Sequence, residues 1–313
     1  MKSPTVVKHE RGMALLLVLV TVMALTLIVG ALWQASQPGW EENTLERARY
    51  QAGLLAESGL NVALHPEIEP GDAALFHLFD ENRGFEVYIT SESARIPINR
   101  ITEARWRDAA VELFVLWGVD AASASVAAES LADWVDSDED VRSNGAENAY
   151  YSGFDYPEFP PNEPFSSIEQ MLFVAGMDVI ARAQPLWRDY FTIFSDGFVD
   201  LNEAPWEVIV ALTGATEDSA LNFVAVRGGD DGIEGTIDDY VFEDVGEVQA
   251  LLGISESEWT EISSFVSLFG GVRRIESRGR VGDFEETRIV LAQEATADSS
   301  ASFYVLARFR GED

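Results

Sequence analysis

Cysteine is absent from this sequence, and lysine and histidine are scarce. Without cysteine an exported chain cannot form disulfides, so its long loops must be held by packing or by metal ions. The only lysines are Lys2 and Lys8, so every later Lys/Arg position is an arginine. The three histidines lie in no zinc or nucleophile motif, and no G-x-S-x-G sequence occurs. Hydrolase chemistry has no support, and we expect a protein that is not an enzyme.

Positive charge is also in short supply. The chain has 54 acidic residues against 21 Lys and Arg, giving a net charge of −33. Such a surface repels phosphate backbones and anionic membranes, and it attracts divalent cations or basic partners. We therefore expect no nucleic-acid partner. A solvated acidic coat suited to a salty habitat explains the same composition, and the 47% hydrophobic content predicts an ordinary packed core.

One long uncharged segment lies near the N-terminus. Met13 to Leu32 is a run of 20 residues without charge. As a helix it would span about 30 Å, the thickness of a bilayer's hydrocarbon core. A short basic leader precedes the run, and the first charged residue after it is Glu41. By the positive-inside rule we expect a single-pass membrane protein whose N-terminus stays cytoplasmic and whose chain after Leu32 is exported.

Gly12 stands directly before this run. The arrangement resembles a type IV prepilin leader, which prepilin peptidase would cut between Gly12 and Met13. A cleaved signal peptide fits less well because the run is long and Trp33 spoils a small-x-small site; a plain anchor is the other alternative. Most pilins have Glu as the fifth mature residue, where this chain has Leu17. A buried carboxylate needs a neutralising partner, and in pilins that partner is the N-terminus of the subunit nearer the tip. The resemblance therefore implies that a subunit without this Glu lies at the filament tip.

Strand patterns flank a helical middle. Pro38-Gly39 predicts a break in the first helix, and a second helical face follows from Leu45 to Val62 at spacings of three and four. Ala94–Asn99 is predicted to extend the sheet at an edge, because Pro97 cannot donate to a ladder. The other predicted strands cover residues 84–90, 271–278, 287–293 and 302–309.

The middle, from about residue 101 to residue 268, contains a loose repeat in which a glycine separates two helices. Each glycine suits the left-handed residue that ends a helix. The four copies centre on Gly118, Gly176, Gly214 and Gly253. These hairpins resemble helix-hairpin-helix modules, but acidic residues follow the last two glycines, which argues against DNA binding.

Sequence patterns also predict where helices begin between residues 101 and 268. Residues 166–169 and 244–247 have capping-box spacing, with Ser166 and Asp244 as the first residues. Asn202 is expected to cap the helix that holds Pro205 in its first turn.

We therefore predict an α+β fold. An N-terminal transmembrane helix and a pilin-like spine helix pack on an antiparallel sheet, with a large all-helical, helix-hairpin-helix-like insertion. The predicted parts are a leader (1–12), a transmembrane helix (13–35), the spine helix with the first strands (36–100), the inserted helical domain (101–268) and the C-terminal strands (269–313).

Four carboxylates have the spacing of a calcium loop. Asp136, Asp138, Asp140 and Glu147 fall at positions 1, 3, 5 and 12 of an EF-hand count. Position 6 is Val141 instead of Gly, and the following stretch is not helical, so a true EF-hand is not expected. A Ca²⁺ loop of similar ligand geometry and a solvated acidic loop are the two interpretations.

A second acidic loop, residues 228–239, is rich in glycine. It could hold a cation through Asp231, Asp238 and Asp239, or it could be a flexible loop. A phosphate cradle is excluded because the glycine run contains no Lys or Arg.

Several motifs together resemble the minor pseudopilin K (GspK) family of the type II secretion system. The most specific is LADWVDSDE at residues 131–139, with GAE at 145–147 downstream. Departures are Met13, where Phe is commoner, and the missing cysteines. Further matching motifs are QAGLLAESG at residues 51–59, the tyrosine pair at 150–151, PNEPFSSIE at 161–169 and VDLNEAP at 199–205.

The resemblance implies a non-enzymatic minor pseudopilin. Such proteins are processed by prepilin peptidase, join the I and J minor pseudopilins at the tip of the periplasmic pseudopilus, and promote its assembly for protein secretion. It implies contact with the major pseudopilin and the inner-membrane secretion platform, an N-methylated mature N-terminus, bound calcium, and a role in contacting secreted substrate. The alternative is a membrane-anchored exported binding module, either a calcium-dependent adhesin or a minor pilin related to DNA uptake or type IV pili.

Overall fold

The structure is a computed structural model that describes residues 10–154, 158–195, 197–230, 232, 238–294 and 303–311. Its helices are α1 (Glu10–Ala63), α2 (Ala104–Leu116), α3 (Ala121–Val135), α4 (Asn148–Tyr151), α5 (Met177–Ala183), α6 (Trp206–Thr213), α7 (Glu217–Arg227), α8 (Val245–Leu252) and α9 (Glu256–Ile262). Its strands are β1 (Phe76–Asp80), β2 (Arg83–Ser91), β3 (Ile96–Pro97), β4 (Phe191–Thr192), β5 (Val199–Asp200), β6 (Val266–Ser267), β7 (Val272–Val281), β8 (Phe284–Glu294) and β9 (Phe303–Arg310).

Helix α1 continues through Pro38 for 54 residues, so the predicted break at Pro38-Gly39 is wrong. A proline removes one backbone hydrogen bond, which a helix with many complete turns on both sides tolerates. Within α1, Met13–Trp33 is long and apolar enough to cross a membrane, with a hydropathy of 2.9 and no burial by the rest of the chain. This segment fits a single-pass membrane anchor.

The second half of α1 packs on the sheet through small side chains. Ala52, Ala56 and Ala63 are fully buried, whereas Leu45, at the start of the predicted face, is 51% exposed. The buried face therefore begins later than the sequence pattern predicted. Alanines on this face bring the helix backbone close to the strands.

Glycines allow the closest approach between α1 and the sheet. A Cβ atom on Gly279 of β7 would overlap the carbonyl oxygen of Ala52 and lie 3.0 Å from the carbonyl carbon of Leu55. On the helix side, a Cβ atom on Gly59 would lie 2.9 Å from the ring of Phe85. Helix and sheet backbones therefore meet directly at Gly279, whereas at Gly59 the helix backbone packs on strand side chains.

The sheet has the strand order β1-β2-β7-β8-β9, and all of its pairs are antiparallel. The four strands predicted outside the 94–99 segment are confirmed as β2, β7, β8 and β9, while β1 was not predicted. The predicted sheet extension at 94–99 is wrong, because Ile96–Pro97 pairs in parallel with Phe191–Thr192 in a separate small sheet. A two-residue strand needs few ladder donors, so Pro97 is tolerated there.

The segment between β2 and β7, residues 92–271, contains α2–α9 and is called the helical part below. Its described residues share one apolar core that reaches from Ile96 to Leu268 and includes the fully buried Trp106 and Phe223. The four repeat glycines have φ angles between 70° and 85°, as the left-handed interpretation predicted.

Two of the predicted helix caps differ in the structure. Asn202 does not cap α6; its side-chain amide donates to the carbonyl oxygens of Phe242 (2.9 Å) and Leu268 (2.7 Å), joining distant segments. The capping box near residue 166 is formed one residue later, by Ser167 and Gln170. Asp244 caps α8 as predicted.

Glu92 joins the helical part to the sheet. Its buried carboxylate accepts hydrogen bonds from the Thr192 hydroxyl (2.6 Å), from Arg95 (2.9 Å) and from Arg274 of β7 (3.4 Å). A buried charge needs such partners to offset its desolvation. The network therefore fixes the helical part against the central strands.

We expect Gly279→Ala to destabilise the protein by about 2–3 kcal/mol, because the new Cβ atom would force α1 away from β7. Thermal unfolding of the full-length protein in detergent measures this. The matched control is Gly153→Ala, where a Cβ atom meets nothing within 4 Å. Equal melting temperatures for the two variants would contradict the backbone-to-backbone packing.

Candidate functional site

The acidic loop at residues 136–147 connects α3 to α4. Helix α3 ends at Val135 with Asp136 as its extended C-cap residue, and Glu147 is the N-cap residue of α4. The loop therefore returns to the end of the helix from which it left. This return places Asp133, in the last turn of α3, beside both loop ends.

Arg142 lies at the centre of this cluster. Its guanidinium donates to the fully buried Asp133 carboxylate at 2.6 Å and also forms an ion pair with Asp136. The backbone N–H of Arg142 donates to the other Asp133 oxygen at 3.2 Å. A Cβ atom on Gly145 would overlap the Asp133 carboxylate, so glycine is required where the loop passes it.

The sequence analysis missed Asp133 and Arg142. A signal was present, because Arg142 is the only Lys or Arg between Arg107 and Arg182. A lone cation in a strongly acidic stretch is expected to pair with buried carboxylates, since unpaired buried charges are costly.

Glu147 is buried, and neither carboxylate oxygen accepts a hydrogen bond from any residue that the structure describes. Burial, followed by the negative charges of Asp133 and Asp136, raises the pKa of Glu147 to about 7. One oxygen of Asp136 is likewise buried without a hydrogen-bond partner among the described residues. The cluster thus keeps unsatisfied carboxylate oxygens at its centre.

The structure brings Asp136 and Glu147 together but leaves Asp138 and Asp140 exposed. The Asp138 carboxylate accepts the backbone N–H of Asp140 at 2.9 Å, and its charge also raises the pKa of Glu147. Among the described residues, no three His, Asp or Glu side chains stand in a metal-holding arrangement. The four-residue calcium set stays a prediction.

The other predicted site residues lie apart from this cluster. In the second acidic loop, Asp231 lies outside the described residues, and the Asp238 carboxylate accepts the backbone N–H of Asp230 at 2.8 Å. Asp239 borders a cavity of about 370 Å³ near the start of β7. Gly12 and Met13, the predicted processing residues, lie near the start of α1.

We predict that Glu147 makes the metal-free protein less stable as pH rises. Its folded-state pKa of about 7 exceeds its ordinary value of 4.5, so protonation stabilises the folded state and this contribution is lost between about pH 4.5 and 7. Glu147→Gln should remove that loss, worth up to about 3 kcal/mol. Melting curves in chelator from pH 5 to 8 test this, with the exposed Glu158→Gln as control. Parallel curves for wild type and Glu147→Gln would contradict it.

Comparisons with known proteins agree with this architecture. Residues 94–186 match the family model described as type II secretion system (T2SS), protein K. The fold is similar to a chain in the crystal structure of the GspK–GspI–GspJ complex from the type 2 secretion system of enterotoxigenic Escherichia coli. That match has a TM-score of 0.59 and 19% sequence identity, and it covers 90% of this chain and 99% of that chain. No curated protein sequence matches significantly.

The segment matched by the family model contains the most specific sequence motif, LADWVDSDE with GAE, and also PNEPFSSIE. It also contains the Asp133–Arg142–Glu147 cluster. Residues 94–186 are therefore similar to the protein K family of the type II secretion system.

Proposed function

We propose that this protein is the K-type minor pseudopilin of a type II secretion system, located in the tip complex of the pseudopilus, where it promotes pseudopilus assembly for protein secretion. The observation that carries this is the family match within the helical part of a chain that also has the apolar α1 and the antiparallel sheet. Its role is that of a structural component of the secretion system.

The placement of the helical part supports a tip position. All of α2–α9 leaves and rejoins the sheet between β2 and β7, so this bulk is attached at one end of these two strands. A slim filament in which such subunits stack would have to accommodate that bulk at every level. A subunit at the tip has no further subunit stacked on it, so its helical part meets no steric conflict. Leu17 replaces the usual glutamate, so this subunit needs no neighbouring subunit nearer the tip to neutralise a buried carboxylate.

The proposed partners are the I-type and J-type minor pseudopilins, the major pseudopilin and the inner-membrane secretion platform. The similar solved chain comes from a GspK–GspI–GspJ complex. Helix α1 keeps apolar side chains outside its contact with the sheet, including Tyr50 (69% exposed) and Leu54 (49% exposed). Pilin-like helices packed alongside would cover these residues.

We propose that the chain crosses the inner membrane once, with its N-terminus in the cytoplasm and its bulk in the periplasm. Met13–Trp33 has the required length and hydropathy, and the basic leader lies on its N-terminal side. Prepilin peptidase would cut between Gly12 and Met13, and the new N-terminus would be methylated.

The mass of the N-terminal peptide, taken from protein isolated from its own membranes, tests this processing. We expect a chain that begins at Met13, carries an N-methyl group and co-purifies with two smaller pilin-like subunits. Gly12→Leu should leave the leader attached, while Gly30→Ala, where a Cβ atom meets nothing within 4 Å, should be processed normally. An intact leader on the wild-type protein would mean a static anchor and would rule out the tip role.

We also propose that the 136–147 loop binds Ca²⁺ through Asp136, Asp138, Asp140 and Glu147. The unpartnered buried oxygens of Asp136 and Glu147 support this, because a hard cation is the group they lack. When bound, Ca²⁺ would supply positive charge and hold the loop ends together. Asp231, Asp238 and Asp239 remain a second, less supported candidate set.

Calcium should raise the melting temperature of the full-length protein relative to chelator, and the gain should increase with pH because protons compete for Glu147. Glu147→Gln and Asp138→Ala should lose most of the gain, while the exposed Glu158→Gln should keep it. A melt that Ca²⁺ leaves unchanged in wild type would refute the calcium site and leave the assembly role untouched.

A further inference from the structure

Four aromatic side chains line the surface of the helical part beside the acidic loop. They are Tyr150, Phe154, Phe159 and Phe173, called the aromatic strip below. Phe154 is 60% exposed, Phe173 is 55% exposed and Tyr150 is 46% exposed. Large apolar groups this exposed lose the free energy that burial would provide.

Ring contacts connect the four members of the strip. The ring centroids of Tyr150 and Phe154 are 5.2 Å apart, and those of Phe159 and Phe173 are 5.7 Å apart. The buried Tyr151 connects the two pairs, with its centroid 5.2 Å from Tyr150 and 6.2 Å from Phe159. These spacings are those of directly interacting aromatic rings, so both exposed pairs rest on the same buried ring and lie close together.

Buried aromatic residues pack beneath the strip. Trp134 lies 5.0 Å from Phe159 and stacks on the buried Phe165 with an angle of 7° between the rings. The Tyr151 hydroxyl accepts the backbone N–H of Ala175 at 3.1 Å. Because these residues fill the space beneath the strip, the exposed rings cannot rotate into the core. The strip is therefore preorganised for binding.

The chain segments that carry the strip bear charges of one sign. Residues 143–181 contain no lysine or arginine, and the nearby Arg142 is paired with Asp133 and Asp136. Glu139, Glu158 and Glu163 are exposed along the segments that carry or border the strip. None of these three belongs to the proposed calcium ligands, so their charge remains when Ca²⁺ is bound. An apolar surface bordered by exposed carboxylates complements a partner that carries cations beside apolar groups.

We propose that the aromatic strip is a docking site for a protein segment in the form of a basic amphipathic helix, with apolar side chains on one face and lysines or arginines flanking them. The apolar face would cover the strip, and the flanking cations would meet Glu139, Glu158 and Glu163. This inference is independent of the assembly role, because the expected pseudopilin contacts involve α1, whereas the strip lies on the helical part.

The test uses the full-length protein in phosphatidylcholine nanodiscs and three fluorescent 14-residue peptides. One is an amphipathic helix of Leu and Lys, the second replaces Lys with Glu, and the third shuffles the Leu/Lys order to destroy the apolar face. Fluorescence anisotropy, corrected with empty nanodiscs, gives each Kd. We expect the Leu/Lys helix to bind at least tenfold more tightly than the other two, and less tightly at high salt.

Variants locate the binding. Phe154→Ala with Phe173→Ala should weaken the Leu/Lys peptide at least tenfold, and Glu158→Gln with Glu163→Gln should flatten the salt dependence. Phe269→Ala, which removes a ring that is 63% exposed outside the strip, should change nothing. Unchanged melting temperatures establish that the variants fold. Equal binding of the three peptides, binding no greater than to empty discs, or wild-type affinity in the Phe154/Phe173 variant would each overturn the proposal.

Discussion

The antiparallel pairing of β2 with β7 is the constraint on which the rest of the structure depends. Ser91 lies opposite Arg273, so the helical part leaves and re-enters the sheet at neighbouring positions. Its 180-residue span, 92–271, therefore adds nothing to the sheet and disturbs neither its register nor its contact with α1. Glu92 lies where the chain leaves β2, and its carboxylate accepts hydrogen bonds from Arg95, Arg274 and Thr192. These bonds hold the start of the helical part against β7. The sheet with α1 can thus retain one geometry while the helical part carries the specific surfaces.

Scarce positive charge explains how the buried carboxylates are arranged. Residues 101–268 hold 34 of the chain's 54 acidic residues and six arginines. Glu92, Asp133 and Glu286 each form ion pairs with arginine, and Asp200 accepts a backbone N–H from Asn202. Among the buried carboxylates that the structure describes, only Glu147 accepts no hydrogen bond. Arginine suits the paired positions because one guanidinium can serve two carboxylates, as Arg142 does. Among the described residues, Glu147 is the buried carboxylate that no arginine neutralises.

Local patterns predicted local structure well and distant contacts poorly. Alternation located β2, β7, β8 and β9, and glycine located the left-handed helix ends, because both depend on near neighbours in sequence. The strand β1 was missed because all five residues are exposed and show no alternation in burial. Asn202 was misassigned because its partners, Phe242 and Leu268, lie 40 and 66 residues away. At the candidate site, spacing found Asp136 and Glu147, but the Asp133–Arg142 pair depends on how the loop folds back, which periodicity does not encode.

The acidic cluster and the aromatic strip are mechanically connected through α4. Glu147 is the N-cap residue of this four-residue helix, its side chain makes no capping hydrogen bond, and its carbonyl accepts the N–H of Tyr150 at 2.8 Å. Tyr150 belongs to the strip, and the adjacent Tyr151 anchors it to the core. A helix this short has little stability of its own, so its position depends on how its ends are held. Whatever satisfies the Glu147 carboxylate, a proton or a cation, therefore also sets how firmly the first ring of the strip is held.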